Sequence, residues 1–176
     1  MNNVQVVDIL QGHIDEVDEF LEVILEDIAQ AEKDIAGRIE ELSLPMADMA
    51  SFEKMLEDRK YRAELIEGNQ VIEHALARTN AVMRLWEDDI DAGLQASNAF
   101  IEWLGDHTDG RWRLEQPSLL EIFDAMNGNA EGWLLAFERM SDSAQDLTGQ
   151  ILRLMNTMAD VEKKAGEVSR KNWRHE

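Results

Sequence analysis

A seven-heptad repeat of apolar residues constrains the fold of this chain more than any other feature. Each step along the repeat is four or three residues, in strict alternation. Its members are Leu119, Phe123, Met126, Ala130, Trp133, Phe137, Met140, Ala144, Leu147, Ile151, Leu154, Met158, Val161, Ala165 and Val168. A period of 3.5 residues places all of these side chains on one stripe of an α-helix, whereas a strand has a period of two. The repeat therefore predicts one helix over about 118–171, which continues through Asn127-Gly128-Asn129 because the phase is preserved there.

The first part of the chain carries a similar stripe. Its members are Val7, Leu10, Ile14, Val17, Leu21, Ile24, Ile28, Ala31, Ile35 and Leu42, and Arg38 is the one interruption. This pattern predicts a helix over about 4–42. Ser43-Leu44-Pro45 is expected to end it, because proline has no backbone N–H to donate and clashes with the preceding turn.

The middle of the chain is less regular. Its stripe consists of Leu65, Ile72, Leu76, Thr79, Met83, Trp86, Ile90, Leu94, Ser97, Ile101 and Leu104. We predict one helix over about 47–104. Gly68-Asn69 is the place where this helix could break, since glycine weakens a helix interior.

These three segments predict an all-α fold: an antiparallel bundle of three long helices with coiled-coil character, in a single domain over 1–176. Short connections favour antiparallel neighbours. The alternative is a compact four-helix bundle, which requires the middle helix to break near Gly68. Since the first helix is shorter than the other two, their aromatic-rich ends would extend beyond it and leave apolar surface uncovered. That geometry predicts a homodimer.

Charge restricts the possible partners. The formal net charge is −20, from 37 acidic and 17 basic residues, which opposes binding to nucleic acid or to an anionic membrane surface. Residues 1–42 hold twelve acidic and two basic residues, so the first helix predicts a protein partner with a basic surface. The residues that we predict to bind such a partner are Asp15, Glu19, Glu22 and Glu26 on that helix, together with Trp86, Trp103, Trp112 and Trp133.

No arrangement of residues predicts catalysis, a metal site or a cofactor. There is no cysteine, and none of the four histidines follows a glutamate by three residues, as a di-iron site of a helical bundle requires. The acidic run Glu87-Asp88-Asp89-Ile90-Asp91 fans around a helix and cannot converge on one ion. We therefore expect no enzymatic activity, no metal and no cofactor.

By exclusion, the sequence predicts a protein-interaction module: a scaffold, or an adaptor or tether, within a cytoskeletal, trafficking or segregation assembly. One alternative is a small acidic chaperone or inhibitor that masks a basic client, and another is a ligand-sensing helical bundle. No stretch approaches the roughly 20 apolar residues that span a bilayer, so membrane insertion is not expected. A cytoplasmic location is predicted, with the nucleus as the alternative.

Overall fold

The computed structural model describes residues 3–175, and every regular element in that range is helical. In chain order the elements are α1 (Asn3–Ala47), α2 (Met49–Leu56), α3 (Arg59–Asp106), α4 (Trp112–Glu115), a 3₁₀ turn (Pro117–Leu119) and α5 (Leu120–His175). No strand occurs among these residues, which confirms the predicted all-α fold class.

The heptad stripe of α5 is the most completely buried feature of the described chain. From Ala130 to Val168 each member of the stripe is buried, except Trp133, which is half-buried. The helix runs unbroken through Gly128, Gly132 and Gly149, as the preserved phase predicted. A glycine costs a helix interior about 1 kcal/mol relative to alanine, whereas one fully buried leucine contributes about 1.5–3 kcal/mol, so burial along the stripe outweighs the glycines.

Helix α1 buries the middle of its predicted stripe and ends later than predicted. Its buried residues are Leu21, Ile24, Ile28 and Ile35. The helix includes Pro45 in its last turn and ends at Ala47, rather than at about 42. A proline near the end of a helix removes only one of the last hydrogen bonds, so the helix tolerates it for two further residues.

The predicted middle helix over about 47–104 is two helices in the structure, and the break lies at Glu57 and Asp58. Helix α3 passes Gly68 without interruption, so the break on which the four-helix alternative depended is absent there. Asn69, the residue after Gly68, is buried against α5 at this point. It lies on the core stripe of α3, is 1% exposed, and its side-chain amide donates to the Glu162 carboxylate on α5 at 3.4 Å.

Side-chain capping creates the helix ends that the sequence pattern did not reveal. The Asp48 carboxylate accepts hydrogen bonds from the backbone N–H and the hydroxyl of Ser51, at 3.3 and 2.8 Å, and so begins α2. The Asp58 carboxylate accepts from the backbone N–H of Lys60 at 2.9 Å and begins α3. These bonds satisfy backbone donors that the first turn of a helix otherwise leaves unpaired.

The last carbonyls of α2 are satisfied as well. The Arg62 guanidinium donates to the carbonyl oxygens of Leu56 and Glu57, at 2.6 and 3.1 Å. The Asn172 amide on α5 donates to the same Glu57 carbonyl at 3.3 Å. Charged and polar side chains thus replace the glycine or proline that usually marks a helix break.

The described chain forms two compact units. The first unit comprises the described residues up to Ile28 and Arg84–Ala144; the second comprises Ala29–Met83 and the described residues from Gln145 onward. Because α1, α3 and α5 each contribute to both units, this division does not by itself define two domains, and the single-domain organisation stays a prediction.

The core of the second unit brings α2 together with the end of α5. Its buried members are Phe52, Leu56, Val161, Ala165 and Val168, and Leu42, Met46, Tyr61 and Leu65 pack against them. Above this core, the Lys164 ammonium lies 2.5 Å from the Glu53 carboxylate. The short helix α2 is therefore held by both apolar burial and an ion pair.

The buried stripe of α5 predicts opposite responses at two adjacent positions. Ile151 is 3% exposed and Leu152 is 58% exposed. Ile151→Asp should lower the free energy of unfolding by about 3–5 kcal/mol, because it places an unpaired charge in the core. Leu152→Asp should cost less than about 1 kcal/mol. Thermal or urea unfolding followed by circular dichroism measures both, and equal losses would show that the stripe is misplaced.

The ion pair predicts a shifted titration. The hydrogen bond and the charge of Lys164 lower the pKa of Glu53 below its ordinary 4.5, so the stabilisation is present above pH 4.5 and is lost as the pH falls through the lowered value. In a carboxyl NMR titration, Glu53 should therefore have its midpoint below 4.5. Lys164→Met should raise that midpoint, and Lys163→Met, at an exposed neighbour, should not. An unchanged midpoint in Lys164→Met would contradict the assignment.

Candidate partner-binding surface

The negative charge is concentrated in the first unit. The first unit has 21 acidic and four basic residues, a net charge of −17, whereas the second has 16 acidic and 13 basic residues, a net charge of −3. The eight residues predicted to bind a partner all lie in the first unit. Acidic and aromatic candidates that are far apart in the sequence thus belong to one compact body.

The four predicted acidic residues form one exposed row on α1. Asp15, Glu19, Glu22 and Glu26 are spaced by four, three and four residues, which places them on one face of the helix, and all are exposed. The apolar side chain of Val23 is exposed beside them. Exposed carboxylates in a row attract positive charge at long range while they remain hydrated.

Two of the predicted tryptophans belong mainly to the packing of the first unit. Trp86 lies on the core stripe of α3 and is half-buried. Trp133 lies on the stripe of α5, and its indole N–H donates to the Asp18 carboxylate on α1 at 3.0 Å. This bond joins the acidic helix to α5. Asp18 was not among the predicted residues, and no spacing along the sequence indicated a partner 115 residues away.

Trp112 holds the connection between α3 and α5. Its indole N–H donates to the His107 carbonyl at 2.8 Å, and its ring packs against Phe123 with 5.0 Å between centroids. The Arg113 guanidinium lies 5.1 Å from the Trp112 ring centroid and 5.6 Å from that of Phe123, and its Nε donates to the Thr108 carbonyl. With its polar edge and one face engaged, Trp112 serves to order this connection.

Trp103 is the predicted tryptophan that remains available to a partner. It is 53% exposed. Its ring stacks on His107 at 4.2 Å between centroids, and Phe100 lies 6.4 Å away. The His107 Nδ1 is 2.8 Å from the Trp103 carbonyl oxygen. The four tryptophans are therefore not one open patch: three are half-buried, and one presents its ring on a supported and exposed surface.

A second stripe on α3, which we call the outer stripe, was not predicted. It consists of Leu85, Ala92, Ala96, Ala99 and Trp103, all exposed and all in the first unit. Each lies one residue before a position on the inward side of the helix. The same heptad count that found the core stripe would have found this one. It was missed because alanine gives a weak apolar signal and Asp89 interrupts the row.

Close packing beneath the outer stripe makes a glycine necessary. A side chain at Gly93 on α3 would overlap the ring of Phe137 on α5, which is buried and has little room to move, whereas nothing lies near Gly132. Gly93→Ala should lower the free energy of unfolding by about 1–3 kcal/mol. Gly132→Ala should raise it by about 1 kcal/mol, because alanine favours the helix. Unfolding curves test the pair, and a stabilised Gly93→Ala variant would contradict the packing.

Metal ligation, membrane-spanning segments and relatives of the chain give three negative findings. In the part of the chain that the structure describes, no group of three or more metal-binding side chains converges. Over residues 3–175, no helix contains a stretch long and apolar enough to traverse a bilayer. Comparison with family models, curated proteins and solved structures gave no match.

Proposed function

We propose that this chain is a non-enzymatic protein-interaction module, a scaffold or adaptor, that binds a partner with a basic surface through its first unit. The observation that carries the proposal is the concentration of charge, a net −17 in the first unit against −3 in the second. A chain that needed charge only for solubility would have no reason to place it in one unit.

The physical basis is long-range attraction followed by short-range contact. At physiological ionic strength a charge acts over about 8 Å, so the exposed row on α1 adds to the field of neighbouring carboxylates in the same unit. Such a field speeds encounter with a basic protein and opposes encounter with an acidic one. Exposed apolar side chains in the same unit supply the contacts that then hold the partner.

One observation favours a second candidate, a small acidic chaperone or inhibitor that masks a basic client. Leu114 in α4 is 89% exposed, and it lies in the acidic unit. An apolar side chain so open, next to acidic surface, fits an unfolded or aggregation-prone client as well as a folded partner. The two candidates differ in the state of the bound protein: hydrogen exchange of the captured protein is slow if it is folded and fast if it is a client held unfolded.

Charge reversal tests the proposed function. Replacing Asp15, Glu19, Glu22 and Glu26 together by lysine should reduce capture of the partner from an extract of the cells that express the protein by more than about ten-fold. High salt should have the same effect on the unmodified chain, because the attraction is screened.

The matched control reverses four exposed acidic residues of the second unit: Glu40, Glu67, Glu73 and Asp160. The change in net charge is identical, but capture should fall by less than about two-fold. Equal losses in the two variants, or capture of no protein at all, would refute the proposed function.

A further inference from the structure

We propose that the outer stripe of α3 is the binding surface for an amphipathic helix of the partner. That helix would have leucine-type residues on one face and lysine or arginine beside them. This inference rests on the proposed function and names the element of the partner that the first unit takes. It starts from the outer stripe because the two large apolar side chains of that stripe, Leu85 and Trp103, are exposed and lie on the same face of α3.

The stripe has the period and length of a helix-binding surface. Its members step by seven, four, three and four residues from Leu85, which is 65% exposed, to Trp103. At 1.5 Å per residue it extends over about 27 Å, or five turns. Single exposed apolar residues are ordinary on a protein surface, whereas a row at helical period, here interrupted at Asp89, is typical of a surface that packs against another helix.

Its shape also fits a helix. The three alanines in the middle, Ala92, Ala96 and Ala99, leave room for close approach, and helix axes that pack closely lie about 8–10 Å apart. The larger side chains of Leu85 and Trp103 stand at the two ends. Because His107 and Phe100 already hold the Trp103 ring, little of its freedom remains to be lost on binding, as in aromatic anchors of protein interfaces.

The charges beside the stripe determine the occupant. Asp91 and Glu102 are exposed and lie one residue before stripe positions, and the exposed Asp88 lies three residues after Leu85, so all three border the stripe along the helix. From residue 84 to residue 106 the sequence has six acidic residues and one basic residue, Arg84. A second copy of the chain would bring the same acidic border against itself, since a two-fold dimer places identical surfaces together. A helix with basic flanks is complementary, and the two copies of a homodimer are not.

A designed peptide tests helix binding at the outer stripe directly. The probe is a fluorescein-labelled peptide of about 18 residues, the length that matches the stripe at 1.5 Å per residue, with leucine at heptad positions and lysine beside them. Fluorescence anisotropy measures its Kd for the full chain. A second peptide has the same composition in an order that destroys the apolar face, and it should bind at least about ten-fold more weakly.

Variants of the chain locate the binding. Ala96→Glu should weaken the leucine–lysine peptide by at least about ten-fold, although it adds a negative charge that would by itself strengthen attraction of a basic peptide. Leu152→Glu adds the same charge at an exposed position of the second unit and should change the Kd by less than about two-fold. Leu85→Glu is a second stripe variant with the same expected loss. Circular dichroism checks that each variant keeps its helices.

The outcomes separate this inference from the proposed function. Equal binding of the two peptides, or a Kd that Ala96→Glu leaves unchanged, would show that charge alone attracts the peptide. Either result would refute binding at the outer stripe. The proposed function would not be refuted, because the charge-reversal experiment on α1 tests it separately. Absence of peptide binding would also refute binding at the outer stripe. If the chain sediments as a dimer that Ala96→Glu converts to a monomer, the occupant is a second copy and the inference is wrong.

Discussion

The uninterrupted apolar stripe of α5 is the interaction on which the rest of the structure depends. It supplies Phe137 and Met140 to the first unit and Val161 and Val168 to the second. Burial along this helix offsets features that destabilise the fold. Those features include the glycines within α5 and the mutual repulsion of the 21 acidic residues of the first unit. Because α5 supplies so much of the buried surface, the exposed faces of α1 and α3 can carry the residues that we propose to bind a partner.

On α3, buried core positions and exposed positions are adjacent in the sequence. Ile90 and Leu104 point into the core, while Asp89 and Trp103 are exposed. A helix rotates by 100° per residue, so one of two adjacent positions can lie in the core while the other belongs to the proposed binding surface. The same division holds on α1, where Leu21 is buried and the neighbouring Glu22 belongs to the acidic row. The proposed binding surface therefore needs no residue of the buried core, and its chemistry can vary without cost to the fold.

The apolar periodicity predicted the long buried stripes of the helices. It missed the helix ends that short-range hydrogen bonds determine. The stripe of α5 was predicted in full because each buried position repeats the same signal. The break before α3 was missed because Asp58 and Arg62 make it through side-chain capping bonds, which a count of apolar residues does not reveal. Gly68 was wrongly expected to break the helix. The glycine costs little helix stability, and the next residue, Asn69, is buried and bonded to Glu162 on α5. A local cue decides a helix end only where tertiary packing does not override it.

The candidate site was predicted unevenly for related reasons. The spacing of the acidic row on α1 places its four side chains on one face of the helix, and that spacing can be read from the sequence alone. The roles of the tryptophans depend on contacts between distant segments. Trp133 bonds to Asp18, and Trp112 packs on Phe123, and no local pattern encodes either partner. Residue type does not separate the four tryptophans, and only the folded arrangement distinguishes Trp103, which is exposed, from those that pack within the first unit.

The central claim is that the first unit, rather than the second, carries the binding surface. Zero-length coupling of carboxylates to lysines in the captured complex, read by mass spectrometry, tests it most directly, since it records which acidic residues touch the basic partner. The account predicts a yield per carboxylate several-fold higher in the first unit than in the second, with links from α1 and from α3 between residues 84 and 106. An equal yield in both units, or links confined to the second, would contradict it.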